Sequence, residues 1–237
     1  MTSQDHPMSM HLSIQHLQKS YKRNHVLRDI CLEADAGTCI GILGANGSGK
    51  STLLSVLSGI DRPDEGVFTL DGQDLFRDRR LCRTNIGYIL QGTPLFDELT
   101  ALEHLKLWYS LSGKDLSEAL QSGIPALMGI PSFLNTPARN MSGGMKKRLS
   151  IACAAAHDPR ILLMDEPSGA LDLICKERIG RYIDYTRKRG GIILLVTHDV
   201  QELSLCDRLF ILKAGILTPY TFDGDTRRLS LSLSDRT

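Results

Sequence analysis

Eight residues, Gly44-Ala45-Asn46-Gly47-Ser48-Gly49-Lys50-Ser51, stand between an apolar run from Cys39 to Leu43 and a helix-like run from Thr52 to Leu57. Glycines there let successive backbone N–H groups turn inward, and the helix that follows aims its positive end at the same point. Lys50 adds a full charge. The chemistry this implies is capture of a triphosphate, with the Ser51 hydroxyl offered to magnesium. A Gly-rich structural turn is the plain alternative, and it does not account for the whole pattern in a strand-to-helix context.

Four further groups could act on such a phosphate. Ile161-Leu162-Leu163-Met164 is a buried-strand run ending in two carboxylates, Asp165 and Glu166. Asp165 is suited to Mg²⁺, and Glu166 to orienting and deprotonating an attacking water. Ile193 to Val196 delivers His198 in the same way, within hydrogen-bonding range of an expected γ-phosphate. Gln91, at the end of the short run Ile86 to Leu90, is an amide that could hold Mg²⁺ and the water. Met141-Ser142-Gly143-Gly144-Met145 opens another helix, so the Ser142 hydroxyl and the backbone N–H groups make a second anion-binding helix start. By themselves these residues also read as a solvated strand end, a packing histidine, a surface glutamine and an N-cap.

The elements that must position them follow from hydrophobic patterning. Leu12, Ile14 and Leu17, then Val26 to Leu32, predict antiparallel strands, and Val67 to Leu70 another strand. Wholly apolar runs separated by helices predict a parallel sheet covered on both faces, with its ligands at the carboxyl edge. Leu102, Leu105, Trp108 and Leu111 recur at helical spacing, and with a second piece at Leu116 to Gln121 they predict a small helical subdomain over about residues 93–140. Trp108 is expected to anchor that helix in a core or interface. A helix from Ser142 is expected to bury Met145, Leu149, Ala152, Cys153 and Ala156, and Leu173 to Arg189 another helix. Leu209 to Leu212 and Ile216 to Leu217 read as a closing hairpin. Residues 1–10 and 222–237 are expected to be peripheral tails.

Composition narrows the partners. Lys plus Arg number 28 against 27 Asp plus Glu in 237 residues, which gives no electrostatic ground for nucleic acid as main partner. The six cysteines form no Cys-x-x-Cys pair, so reduced thiols are expected rather than a disulfide framework or zinc site. No apolar run approaches the roughly 20 residues that span a bilayer.

With these motifs in this order the chain resembles the ATP-binding subunits of ABC transporters over nearly all of residues 11–217, a domain set here at 11–221. The resemblance implies an α/β P-loop NTPase fold, RecA-like in its parallel core, with an N-terminal antiparallel β subdomain and an inserted α-helical subdomain. It also implies ATP and Mg²⁺. Tyr21 would stack on adenine, residues Gly44, Ala45, Asn46, Gly47, Ser48, Gly49, Lys50, Ser51 and Thr52 would hold the nucleotide, and Ser51, Gln91 and Asp165 would surround Mg²⁺. Glu166 would be the general base and His198 the γ-phosphate sensor. Ser142, Gly143 and Gly144, with Asp172 of Ala170-Leu171-Asp172, would reach the nucleotide of a second subunit.

Two departures stand out. The signature begins and ends with Met where Leu and Gln are commonest, and Ser168-Gly169-Ala170 replaces a Thr-Ser-Gly-like run. Gly-Gly-Met followed by Lys-Lys-Arg-Leu resembles the branch that serves ABC-2-type membrane subunits, often exporters. The expectation is therefore a homodimeric or heterodimeric ATPase, cytoplasmic and held at the membrane by a separate membrane-spanning subunit, with no nucleic acid. Two other readings compete: a soluble ABC-type ATPase acting on ribosomes or DNA, and a nucleotide-binding module without turnover.

Overall fold

The computed structural model describes residues 10–233 except Thr93 and Ala170. Residues 1–9 and 234–237 of the expected tails, Thr93 at the start of the expected helical segment, and Ala170 lie outside the described residues.

The strands are β1 (His11–Tyr21), β2 (Asn24–Asp35), β3 (Cys39–Leu43), β4 (Glu65–Leu70), β5 (Gln73–Asp74), β6 (Ile86–Ile89), β7 (Ile161–Asp165), β8 (Ile192–Val196), β9 (Arg208–Lys213) and β10 (Ile216–Tyr220). They lie side by side in the order β5-β4-β1-β2-β10-β9-β3-β8-β7-β6. The first four of that row are antiparallel, as the alternation in β2 requires. β9, β3, β8, β7 and β6 pair with one another in parallel, β10 runs antiparallel to β9, and one residue pair, Ile216 with Asp29, joins the two halves through β10 and β2.

The helices are α1 (Lys50–Leu57), α2 (Arg79–Asn85), α3 (Ala101–Ser112), α4 (Leu116–Ser122), α5 (Ile124–Leu127), α6 (Gly143–Ala154), α7 (Leu173–Lys188), α8 (Val200–Leu203) and α9 (Thr226–Leu233). The central strands are apolar throughout because both faces are covered. Ile161, Leu163, Ile192 and Leu194 pack with Leu53, Leu54 and Leu57 of α1 and with the antiparallel strands. Leu162, Met164, Ile193 and Leu195 face α3, α6 and α7. Burial of these aliphatic side chains contributes about 1.5–3 kcal/mol each.

Three details differ from the sequence-based expectations. In α3 the buried stripe is Ala101, His104, Leu105 and Tyr109, while Trp108 is 43% and Leu111 76% exposed. Trp108 is thus a surface residue of its helix, not a core anchor. In α6, Met145 is half-buried and Lys147 is buried in its stead, at 4% exposure. Within 222–233, expected to be peripheral, α9 buries Leu229 against Leu43, Leu203 and Ile211, and Met10 at the other end joins the main core.

Candidate nucleotide site at the carboxyl edge of the sheet

Parallel pairing decides where the functional side chains go. Ile42 pairs with Val196, Asp165 pairs with Val196, and Ile89 pairs with Met164, so β3, β8, β7 and β6 end at one edge. The residues that follow those ends are the Gly44 loop, His198, Glu166 and Gln91. Open parallel sheets bind their ligands there.

The loop from Gly44 to Gly49 depends on two glycines for space. A Cβ on Gly44 would stand 2.5 Å from Ser48 Oγ and 2.6 Å from the Leu212 carbonyl oxygen, and one on Gly49 would stand 2.9 Å from Val26 Cγ1. Gly49 also caps α1 at φ 105°, with no side chain bonded to the helix's first N–H groups. Those donors remain directed at the loop's concavity, as an anion site requires. Among the described residues the buried Ser48 hydroxyl finds no hydrogen-bond partner. Lys50 folds back over the loop, its Nζ donating to the carbonyls of Gly44 at 2.6 Å and Ala45 at 3.0 Å. Burial lowers the Lys50 pKa, and the charges of Glu166 and Asp165 oppose that shift.

Asp165 is 5% exposed, and burial raises its pKa while the Ser51 hydroxyl beside it pulls the other way. Glu166 follows in the left-handed region at φ 45°, its backbone N–H donating to the Val196 carbonyl at 2.9 Å. That turn sends its carboxylate between two partners. Gln91 Nε2 donates to Glu166 Oε2 at 2.8 Å, and His198 Nε2 lies 3.5 Å from Oε1. The His198 pKa is lowered, first by burial and then by Lys50, so the ring is neutral near pH 7. The Ser51 hydroxyl and the Asp165 carboxylate adjoin, and both are the hard oxygen donors that suit Mg²⁺.

Tyr21, at the end of β1 and exposed, gives its hydroxyl to Asp61 at 2.7 Å, and that hydroxyl also lies beside the Thr52 side chain. Asp61 is held below the usual carboxylate range by that hydroxyl and by the one from Ser55.

Ser142, Gly143 and Gly144 form a second cluster. Ser142 caps α6, its Oγ accepting from Met145 N–H at 3.2 Å. Asp172 caps α7 beside it, 3.7 Å from where a Cβ on Gly144 would stand. Among the described residues, no hydrogen bond or ion pair joins Ser142, Gly143, Gly144 or Asp172 to the loop of residues 44–52.

Sequence reasoning missed two residues that shape the site. Lys147, one turn into α6, donates to the carbonyls of Leu90 at 2.6 Å and Gln91 at 3.3 Å. Its neighbours Lys146 and Arg148 gave it the look of a solvated basic turn. His104, 1% exposed, accepts from Phe96 N–H at 2.9 Å through Nε2 and fixes the chain that leaves Gln91. Its place at i+4 from the capping Thr100 is the signal that could have found it.

A phosphate loop, an acidic strand end and a doubly covered parallel core define a P-loop nucleotide triphosphatase. The ABC transporter family model matches residues 27–169. The "Nod factor export ATP-binding protein I" of Sinorhizobium fredii is 35% identical over 86% of this chain, which spans 60% of that protein's length. The "Nitrate import ATP-binding protein NrtD" of a Synechocystis strain is 36% identical, over 86% of this chain and 79% of its own. A dimeric ATP-binding cassette solved in a post-hydrolysis state with ADP and Pi is 28% identical with a TM-score of 0.79, covering 90% of this chain and 100% of that one. The chain belongs to the ABC transporter family, and it resembles that family's ATP-binding proteins.

Proposed function

We propose that this subunit hydrolyses MgATP in a two-subunit sandwich and so drives a separate membrane-spanning partner. The observation that carries the reading is the division of the polar groups. Lys50, Ser51, Asp165, Glu166, Gln91 and His198 gather at one sheet edge, while Ser142, Gly143, Gly144 and Asp172 head two helices elsewhere on the same subunit. Ser142 and Gly143 of the second cluster are exposed, which suits the nucleotide of another copy, identical or homologous.

The loop from Gly44 to Thr52 binds the phosphates, Lys50 transferring its hydrogen bonds from the Gly44 and Ala45 carbonyls to the β- and γ-phosphates. Tyr21 stacks on adenine. Ser51, Asp165 and Gln91 would hold Mg²⁺, which would supply positive charge against the charge developing on the phosphates. Glu166 takes a proton from the attacking water, and neutral His198 donates to the γ-phosphate. Phe96, Leu107, Trp108 and Leu111 are exposed on or beside α3, close in sequence to the Gln91 loop. That apolar surface suits docking of a helix of the membrane subunit, which would hold this chain at the cytoplasmic face.

Both an exporter and an importer are among the relatives above, so the choice of export rests on the run Gly143 to Leu149. Its basic residues are engaged within the subunit, Lys147 at the Gln91 loop and Arg148 at the Met128 carbonyl.

The test is the Glu166→Gln variant, which cannot accept a proton. It should bind MgATP, lose about 10²–10⁴-fold in turnover, and elute as a dimer with MgATP and as a monomer with ADP. Adding Ser142→Arg should abolish that dimer and leave ATP binding intact. A dimer populated equally with ATP, ADP or no nucleotide would count against the sandwich.

A further inference from the structure

β1 is irregular between Ile14 and Leu17. Pairing passes from Ile14 with Leu32 to Leu17 with Ile30, which leaves Gln15 and His16 opposite Cys31 alone. His16 absorbs the extra residue in the left-handed region, at φ 51°. A bulge of this kind re-aims a side chain. Here the His16 ring reaches the solvent face of β2, where Asp29 and Cys31 are exposed while Ile30 and Leu32 between and beyond them are buried.

Three potential ligand atoms meet there. His16 Nδ1 lies 2.9 Å from Asp29 Oδ1 and 3.9 Å from Cys31 Sγ, and Cys31 Sγ lies 3.7 Å from that carboxylate oxygen. In a tetrahedral zinc site with ordinary bond lengths the corresponding ligand-to-ligand edges are about 3.4–3.6 Å. The triangle therefore needs only shifts of a few tenths of an ångström to become one face of such a tetrahedron. The apo cluster is held by hydrogen bonds, His16 to Asp29 on the shortest edge and the Cys31 thiol donating to the same carboxylate oxygen, so all three side chains already converge on one point. The His16 backbone N–H donates to that sulfur at 3.3 Å, the kind of outer contact that holds a coordinated sulfur in place.

We propose that His16, Asp29 and Cys31 bind a thiophilic divalent cation of the zinc class, with a water in the fourth position. One nitrogen, one oxygen and one sulfur donor select such an ion over Mg²⁺ or Ca²⁺. On binding, neutral His16 carries its single ring proton on Nε2, reached from Nδ1 by exchange through solvent, the Cys31 thiol proton leaves to solvent, the Nδ1, carboxylate and thiolate lone pairs bind the ion, and no electron is transferred. The ion clips β1 to β2 at the bulge. None of its ligands belongs to the nucleotide site.

Cobalt(II) is the probe, since in zinc's position it reports a thiolate ligand by a near-ultraviolet charge-transfer band and tetrahedral geometry by intense visible bands. The full chain, saturated with MgADP, is titrated with CoCl₂ and then with ZnCl₂. The expected result is one equivalent of cobalt with both signatures, displaced by zinc, with the sulfur band lost in Cys31→Ser. His16→Asn, chosen because asparagine tolerates a positive φ, should weaken binding at least about tenfold. Zinc should raise the melting temperature of the wild type more than that of either variant. The ADP affinity of each variant checks that it is folded. No sulfur band in the wild type, or a band that survives Cys31→Ser, overturns the assignment.

Discussion

Lys147 Nζ reaches from α6 to the Leu90 carbonyl at 2.6 Å, tying the helix that Ser142 caps to the loop that carries Gln91. A buried ammonium at 4% exposure is maintained only where carbonyls replace its water, and burial lowers its pKa. One side chain of α6 thus links the helix that Ser142 caps to the loop beside Glu166. Lys147→Met keeps the stem and removes both hydrogen bonds. Urea unfolding should show a loss of about 1–3 kcal/mol, and steady-state assays a fall in turnover with ATP affinity at the loop of residues 44–52 retained. Unchanged turnover would mean that the link is structural only.

The apolar residues along α3 give a second prediction. Charged replacements at Trp108 and Leu111, both exposed, should change stability by no more than about 0.5 kcal/mol. They should leave basal ATP hydrolysis intact and reduce co-purification with the membrane subunit. Undiminished co-purification would move the docking surface elsewhere.

His157 gives a pH prediction. It is half-buried, its Nε2 donates to the Ile86 carbonyl at 3.0 Å, and its pKa lies below 6.5, chiefly through burial. The folded state therefore disfavours the protonated ring, and near that pH the unfolded chain binds more protons. This contribution is complete above pH 6.5 and is lost as pH falls through the folded pKa. Stability curves of wild type and His157→Gln should differ most above pH 6.5 and converge in acid. Parallel curves would show that His157 does not titrate differently in the two states.

Leu229→Ala tests the packing of α9. Removal of a buried leucine side chain costs about 2–5 kcal/mol, and Leu229 contacts a cluster that includes Leu43, the residue before the phosphate loop. A melting temperature equal to the wild type would return residues 226–233 to the status of an appendage.

The strands β3, β7 and β8 were legible because a strand covered on both faces has no polar position, and their ends carried Gly44, Asp165 and His198 to one edge without further information. The face of α3 was not legible. Its 3- and 4-residue stripes are both apolar, so Leu102, Leu105, Trp108 and Leu111 read as well as Ala101, Leu105 and Tyr109; Leu105 is common to both, and packing against α6 decides the rest. The role of Lys147 was hidden for another reason. Its partners are backbone carbonyls more than 50 residues away, and carbonyls have no sequence signature. α2 escaped because Arg79-Arg80-Leu81-Cys82-Arg83 has too few apolar positions to show a period, although Asp78 caps it with two backbone bonds.

Glu166 occupies a backbone conformation that a side chain with a Cβ adopts at a cost of about 1–3 kcal/mol. Glycine would relieve that cost, so a screen for thermal tolerance alone would drift toward Glu166→Gly and discard the carboxylate that Gln91 and His198 flank. The left-handed turn after Asp165 therefore marks a place where durability and turnover pull the sequence in opposite directions, and a stabilised version of this subunit should be sought anywhere but there.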